Sequence, residues 1–316
     1  MKVFTGRSNP ELAQGIANYL GIPLGKIDIQ DFSDGEIWVA FEENIRNEDV
    51  FIIQSTNSPT DNIMELLLML DAARRASAKN VIAVIPYLGY GRQDRKDQPR
   101  VAIGAKLVAN LMVAAGADRM IGMDFHQHQI QAFFDIPVDH LYAAPVLTRY
   151  FLDKKLPDLV VVAPDVGSAK MARGFANRLH AALAIIDKRR PGPNMAEVVN
   201  VVGDVDGRTC LLIDDMVDTG GTLANAVVAL KDRGATKVFA GATHALLSGS
   251  AGEKLAAAPL EEFVVTNTIH IPEERCFEGL KILSVASLFA TAIECVHENK
   301  SVSQLFETAA EADSGA

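Results

Sequence analysis

Residues 209–234 limit the fold more than any other stretch. Thr209-Cys210-Leu211-Leu212-Ile213 is a short, unbroken apolar run, the pattern of a strand buried on both faces. Residues 223–231 carry apolar positions at helical spacing, and Gly234 stands where a helix C′ glycine belongs. Between strand and helix lies Asp214-Asp215-Met216-Val217-Asp218-Thr219-Gly220-Gly221-Thr222. A strand buried on both faces needs helices above and below it. The same alternation recurs along the chain, so the expected class is α/β, with parallel strands joined by right-handed crossovers.

Residues 2–6 read as a strand, and Ser8-Asn9-Pro10 opens a helix that Gly21 ends. Residues 27–41 alternate on either side of Asp34-Gly35, which predicts a β-hairpin. A strand at 50–54 precedes a helix at 62–76 with Met64, Leu67, Leu68 and Asp71 at helical spacing. Strands follow at 80–87, 159–165 and 184–187, with a helix at 168–180. From Lys188 on, Pro191, Gly192 and Pro193 break regular structure, so an irregular, mobile basic loop is expected. The weakly hydrophobic residues after Glu307 are expected to fray.

Residues 115–126 match residues 233–244 at one constant offset, with Gly116 on Gly234 and His126 on His244. The helices before them, 105–114 and 223–232, then also align. A chance match between two helix–strand units is one reading. With 316 residues, two copies of one α/β domain is the other. The spans are then 1–144 and 145–316, joined near 141–148, with the last helix packing back on the first domain. At that offset the first copy's counterpart of the acidic loop falls at about 95–103, and its Arg95-Lys96-Asp97-Gln98-Pro99-Arg100 is basic.

Thr219, Gly220, Gly221 and Thr222 offer hydroxyls and open backbone N–H groups at a helix N-terminus, as a phosphate site requires. Three carboxylates beside it would repel phosphate; their fitting work is to hold sugar hydroxyls or a bridging metal. Together these point to ribose 5-phosphate or its diphosphate. An acidic surface turn capping a helix is the plainer alternative.

A net charge of -10 leaves no broad basic footprint for nucleic acid or an anionic membrane, so local basic clusters point to a small anion. Cys210, Cys276 and Cys295, widely spaced in apolar contexts, read as reduced core residues. No apolar leader and no bilayer-length run is present, and a cytoplasmic protein is expected.

Four further groups carry chemistry. In Gly91-Arg92-Gln93-Asp94-Arg95-Lys96 the cations suit a polyphosphate, or a solvated basic loop. His126 and Asp165 lie at ends of strands, where a metal site or a structural histidine are both open. Lys188-Arg189-Arg190 can stabilise a phosphoryl-type transfer, or form a basic turn. In Phe32-Ser33-Asp34-Gly35-Glu36 an aromatic at a hairpin tip can stack a base. No Walker A, protein-kinase or GxGxxG signature is present.

Taken in order, these motifs, with Gln129-Ile130-Gln131-Ala132-Phe133-Phe134-Asp135-Ile136-Pro137, resemble the first, phosphate-activated class of ribose-phosphate diphosphokinases. The resemblance runs from Phe4 to Phe306 and implies two type I phosphoribosyltransferase-like domains, each a mostly parallel sheet flanked by helices, commonly assembled into hexamers. It implies that the anomeric hydroxyl of ribose 5-phosphate attacks the β-phosphorus of MgATP, giving phosphoribosyl diphosphate and AMP for nucleotide biosynthesis. ATP would be met by Arg92, Gln93, Asp94 and His126, and its adenine by Phe32, Asp34, Gly35 and Glu36 of a neighbouring subunit's hairpin. Ribose 5-phosphate would be met by Asp214, Asp215, Asp218, Thr219, Gly220, Gly221, Thr222 and Arg190. Lys188 and Arg190 would be catalytic, and His126 and Asp165 would be tied to Mg2+.

Two departures stand out. Asp165-Val166-Gly167-Ser168 replaces the family's frequent Asp-His-Gly-Gly, and Asn44 replaces a serine of its phosphate or ADP effector site, whereas Arg46 and Ser303 remain. A phosphoribosyltransferase, a non-catalytic regulatory paralogue and an RNA-binding regulator are the rival readings. The retained Lys188, Arg190, His126 and Asp165 weigh against the second, and the acidic balance against the third.

Overall fold

A five-stranded and a seven-stranded sheet, each flanked by helices, hold most of the described strands, and a two-stranded hairpin stands apart. The computed structural model describes residues 1–189, 198–303 and 305, with backbone alone at 188, 189, 198 and 199. The chain divides into two compact units. Unit 1 holds residues 1–142, 268–270 and the described residues from 284 on; unit 2 holds 143–267 and 271–283. The described residues from 284 on, within the 145–316 span above, thus group with unit 1.

Unit 1 contains β1 (Lys2–Thr5), α1 (Pro10–Leu20), β2 (Ile27–Asp31), β3 (Ile37–Phe41), β4 (Asp49–Ile53), α2 (Asp61–Arg75), β5 (Asn80–Ile85), α3 (Gly104–Ala115), β6 (Arg119–Met123) and β7 (Val138–Leu141). Its main sheet is parallel throughout, in the order β1-β4-β5-β6-β7. β2 and β3 form a separate antiparallel hairpin about Asp34-Gly35, as the alternation predicts. Asn9 caps α1 by accepting from the Leu12 N–H, and Gly21 ends it in the left-handed region.

Unit 2 contains α4 (Ala144–Lys154), β8 (Leu159–Ala163), α5 (Ala169–Arg178), β9 (Ala182–Arg189), β10 (Val198–Val202), β11 (Thr209–Val217), α6 (Gly221–Asp232), β12 (Lys237–Ala245), α7 (Ala251–Ala257), β13 (Glu262–Thr266) and β14 (Leu280–Leu283). The sheet order is β10-β9-β8-β11-β12-β13-β14, parallel except for the antiparallel β10–β9 pair. The final helix, α8 (Ala286–His297), belongs to unit 1, where His297 Nδ1 lies 2.8 Å from Asp49 Oδ2 on β4.

The repeat is visible in hydrogen bonds. Gly116 and Gly234 both adopt positive φ after their helices. The Ala117 N–H donates to Met112 O and the Ala235 N–H to Leu230 O, the 6→1 bond of a helix end that turns left-handed. Asp118 N–H then meets Val81 O, and Thr236 N–H meets Arg208 O. The donors are 118 residues apart but the acceptors 127, so the first copy's strand-to-helix loop is nine residues longer. The counterpart of the acidic loop is therefore the whole of 86–103, with the basic motif inside the extra length, rather than 95–103 alone.

Three readings change. Lys188 and Arg189 are not loop: they end β9, opposite Val199 and Val198 of a strand the sequence pattern did not reveal. Backbone pairing with β10 holds them extended. Helix α2 buries Ile63, Glu65, Leu66, Met69, Leu70 and Ala73, whereas Met64 is exposed; a buried carboxylate displaces the apparent apolar stripe. Cys276 is exposed beside the short helical turn Glu273–Arg275, while Cys210 and Cys295 are buried. The tail after Glu307, expected to fray, lies outside the described residues, as does Arg190.

Candidate active site

The chain order reverses between β8 and β11: from β8 it moves outward to β9, and from β11 it moves the other way to β12 and β13. Crossovers departing in opposite directions leave a crevice at the carboxyl ends of the two strands, where open α/β sheets bind ligands. In unit 1 the strands run in one direction, from β1 to β7, and form no such reversal. The acidic motif sits at the one reversal, at the end of β11.

β8 and β11 pair through Val162 and Leu212, while β11 continues to Val217 beside β12. Asp214 and Asp215 therefore lie on the overhanging end of a strand, on alternate faces, rather than in a loop as the sequence suggested. Asp214 faces Ser168, just before α5: Ser168 Oγ is 2.9 Å from Asp214 Oδ1 and 3.2 Å from Asp165 Oδ1. The Ser168 N–H donates to Asp165 Oδ1 (2.9 Å), and the Asp215 N–H donates to Asp214 Oδ1 (3.0 Å). Burial, then the neighbouring charge of Asp215, push the Asp214 carboxyl up to about 7, with Asp165 adding and the Ser168 hydroxyl opposing.

The turn into α6 runs through Asp218, Thr219 and Gly220. Gly220 has φ +73°, and a Cβ there would lie 3.2 Å from Ala251 O. A Cβ on Gly221 would meet nothing within 4 Å, so the approach to the helix N-terminus is open. No side chain caps α6, and the first helix-type bond runs from the Ala224 N–H to Gly220 O. The N–H groups of Gly221, Thr222 and Leu223 precede it and point to where an anion would sit. Thr219 and Thr222 are exposed, and the Lys254 ammonium donates to Thr219 O (3.4 Å).

Unit 1 carries most of the other predicted residues. The basic motif leaves β5 through Gly89, whose N–H donates to Thr56 Oγ1 (2.8 Å). Arg92, Gln93, Arg95 and Lys96 are exposed and Asp94 is half-buried. His126, half-buried past the end of β6, has its Cβ 3.8 Å from where a Gly91 Cβ would be, so it stands at the foot of this loop. Phe32 is 56% exposed at the hairpin tip, beside Asp34, Gly35 and Glu36, which are also exposed. Lys188, in unit 2, is placed by its backbone at the end of β9.

Among the described residues no group of three or more His, Cys, Asp or Glu is arranged to hold an ion by itself. Mg2+ asks for less: it keeps several waters and binds through one or two carboxylates plus substrate phosphates. The Asp165 carboxylate, at the end of β8 beside the carboxylates of β11, is a hard oxygen donor of that kind and fits it. Ser168 as the link between them was missed; its place three residues after Asp165, an Asp-x-x-Ser turn, was the available signal.

Carboxylates beside an open helix N-terminus at a sheet reversal define a binder of phosphorylated, hydroxyl-rich ligands on a two-unit α/β frame. Residues 1–116 match the family model for the N-terminal domain of ribose phosphate pyrophosphokinase, and residues 190–307 match that for the phosphoribosyl synthetase-associated domain. A ribose-phosphate pyrophosphokinase of Caldanaerobacter subterraneus subsp. tengcongensis is 54% identical over 308 residues, 97% of this chain and 98% of its own. That of Bacillus subtilis is 53% identical over 307 residues, 97% of each chain. The crystal structure of phosphoribosylpyrophosphate synthetase from Mycobacterium smegmatis is 44% identical, covers 94% of this chain and 99% of its own, and has a TM-score of 0.90. The chain belongs to the ribose-phosphate pyrophosphokinase family, and both its units have the mostly parallel, helix-flanked fold of type I phosphoribosyltransferases.

Proposed function

We propose that this chain transfers the β,γ-diphosphoryl group of MgATP to the anomeric hydroxyl of ribose 5-phosphate, releasing AMP. The observation that carries it is the end of β11, where Asp214 and Asp215 lead into the uncapped N-terminus of α6. The 5-phosphate takes the N–H groups of Gly221 and Thr222 and the hydroxyls of Thr219 and Thr222. Asp214, Asp215 and Asp218 then hold ribose hydroxyls and aim the anomeric oxygen outward. That oxygen attacks the β-phosphorus, the bond from the β-phosphorus to the bridging oxygen breaks so that this oxygen leaves with AMP, and the hydroxyl proton passes to solvent water.

On the donor side Arg92, Gln93, Asp94 and His126 meet ATP, while Phe32 stacks on adenine beside Asp34, Gly35 and Glu36. Lys188 and Arg190 neutralise charge on the transferring group. Asp165 and His126, with the ATP phosphates, would hold Mg2+, which would further neutralise that charge. The full-length relatives are named pyrophosphokinases, which supports synthesis over the phosphoribosyltransferase and regulatory alternatives. We further infer a homohexamer in the cytoplasm, responsive to phosphate and ADP. No described helix is long and apolar enough to cross a membrane.

The test is to incubate the protein with MgATP and ribose 5-phosphate and separate the nucleotides. AMP together with phosphoribosyl diphosphate is expected. ADP would make it an ordinary kinase, and no turnover would favour the regulatory paralogue.

A further inference from the structure

The β2–β3 hairpin pairs with no other strand among the described residues, and two-stranded sheets are marginal on their own. Its base is anchored by apolar packing. Ile27, Ile29, Val39 and Phe41 lie against the unit 1 core, and the Phe41 ring meets Phe4 edge-on at 4.7 Å. The tip end, where Asp31 pairs with Ile37, carries the exposed Phe32 to Glu36. At that end a guanidinium grips Asp31.

Arg7, just beyond β1, spans two carboxylates. Its Nη1 and Nη2 donate to Asp31 Oδ2 and Oδ1 at 2.7 and 2.8 Å, a bidentate fork. Its Nε donates to Glu65 Oε2 at 2.5 Å, and its backbone N–H to Glu65 Oε1 at 2.6 Å. Glu65 is 2% exposed on α2 and accepts a further bond from Gln54 Nε2 (2.9 Å). Gln54 is fixed in turn, its Oε1 accepting from the Ser8 hydroxyl at 2.7 Å. A buried carboxylate so fully bonded is a rigid post, and Arg7 passes that rigidity to the hairpin.

We propose that Arg7 is a positioning residue for the nucleotide, clamping Asp31 to the buried Glu65 and so fixing the adenine-facing tip 32–36. The proposal rests on the reading that this tip meets ATP. An exposed ion pair alone is worth little. This one differs because the planar fork sets an orientation and because its far side is locked to the core. Lysine, a point charge, cannot replace it.

Changing Arg7 itself would leave Glu65 buried and unpaired, so the test cuts the exposed side. Asp31→Ala keeps the Arg7–Glu65 bonds. The expected result is a rise in the KM for ATP of about three- to fivefold, the upper part of the range for losing one exposed, well-oriented ion pair. The KM for ribose 5-phosphate and kcat should stay within about twofold, since neither depends on the tip in this scheme. Amide exchange of residues 32–37, followed by mass spectrometry, should quicken, and Asp31→Glu should restore most of both effects. Phe32→Ala serves as the companion variant. If it raises the KM for ATP and Asp31→Ala does not, the clamp is overturned while the adenine reading stands. If Phe32→Ala leaves that KM unchanged, the adenine reading fails and the proposal falls with it.

Discussion

Ser168 Oγ lies 2.9 Å from Asp214 Oδ1, which ties the turn after β8 to the overhanging end of β11. The same oxygen is 3.2 Å from Asp165 Oδ1, yet a hydroxyl has one proton to donate. Asp165 Oδ1 already accepts from the Ser168 N–H at 2.9 Å, so the single hydroxyl proton is left to serve Asp214. Ser168→Ala removes the donor and leaves Asp214 with the Asp215 N–H alone. The expected effect is a rise in the KM for ribose 5-phosphate of about tenfold, as for losing one hydrogen bond to a charged group, with a smaller change in the KM for ATP. Steady-state kinetics on each substrate decides it. Equal changes in both would remove the special link to the ribose side.

The raised Asp214 carboxyl has a consequence for stability. In the unfolded chain an aspartate titrates near 3.8, and in the fold near 7. The folded state therefore keeps a proton that the unfolded state has released, and stability falls as pH rises between about 4 and 7, then levels off. A tenfold change in proton affinity corresponds to about 1.4 kcal/mol, so the interval between the two states sets an upper limit of about 4 kcal/mol. Asp214→Asn has no proton to lose in this range. The Tm of this variant minus that of the parent, in chelator-treated buffer without substrate, should grow from pH 5 to pH 8. A constant difference would contradict a raised Asp214.

Gly220 and Gly221 are neighbours with different duties. Gly220 has positive φ and sits against Ala251, so Gly220→Ala should lower stability by about 1–2 kcal/mol. Gly221 faces open space, and Gly221→Ala should fold normally. Its new methyl group would instead stand where phosphate approaches the α6 N–H groups. Calorimetry should therefore report the first substitution and the KM for ribose 5-phosphate the second.

Much of this arrangement was legible because its signals are local. The apolar run into β11, the glycine after α6 and the alternation about Asp34-Gly35 each encode their own structure through period and turn chemistry. What escaped depends on partners distant in sequence. β10 takes its register from β9 across two prolines and a glycine, which read locally as a break. The burial of Glu65 on α2 depends on partners as distant as Arg7, 58 residues earlier, which helical spacing cannot show. The reversal of strand order between β8 and β11 is likewise a property of the assembled sheet.

Thiol accessibility separates the three cysteines. Burial pushes the Cys210 thiol up to about 11, and Cys295 is also buried, while Cys276 is exposed. Thiolate is the reactive form, so native protein at pH 8 should titrate one thiol rapidly with a water-soluble disulfide reagent, and all three once denatured. Cys276→Ser should abolish the fast phase. Persistence of that phase would place another cysteine at the surface.

Lys188 carries the sharpest kinetic expectation. Its backbone closes β9 opposite Val199, so the ordered sheet delivers it next to Arg189 and the segment that begins at Arg190. A charge at the end of a strand contributes little to the core, and Lys188→Ala should leave Tm nearly unchanged. If the ammonium neutralises the diphosphoryl group as it transfers, its loss removes an interaction made mainly in the transition state. The expected outcome is a fall in kcat of about a hundredfold or more, with both KM values within a few-fold. A large rise in the KM for ATP at unaltered kcat would instead make Lys188 a ground-state binding residue, and an unchanged kcat and KM would remove it from the site.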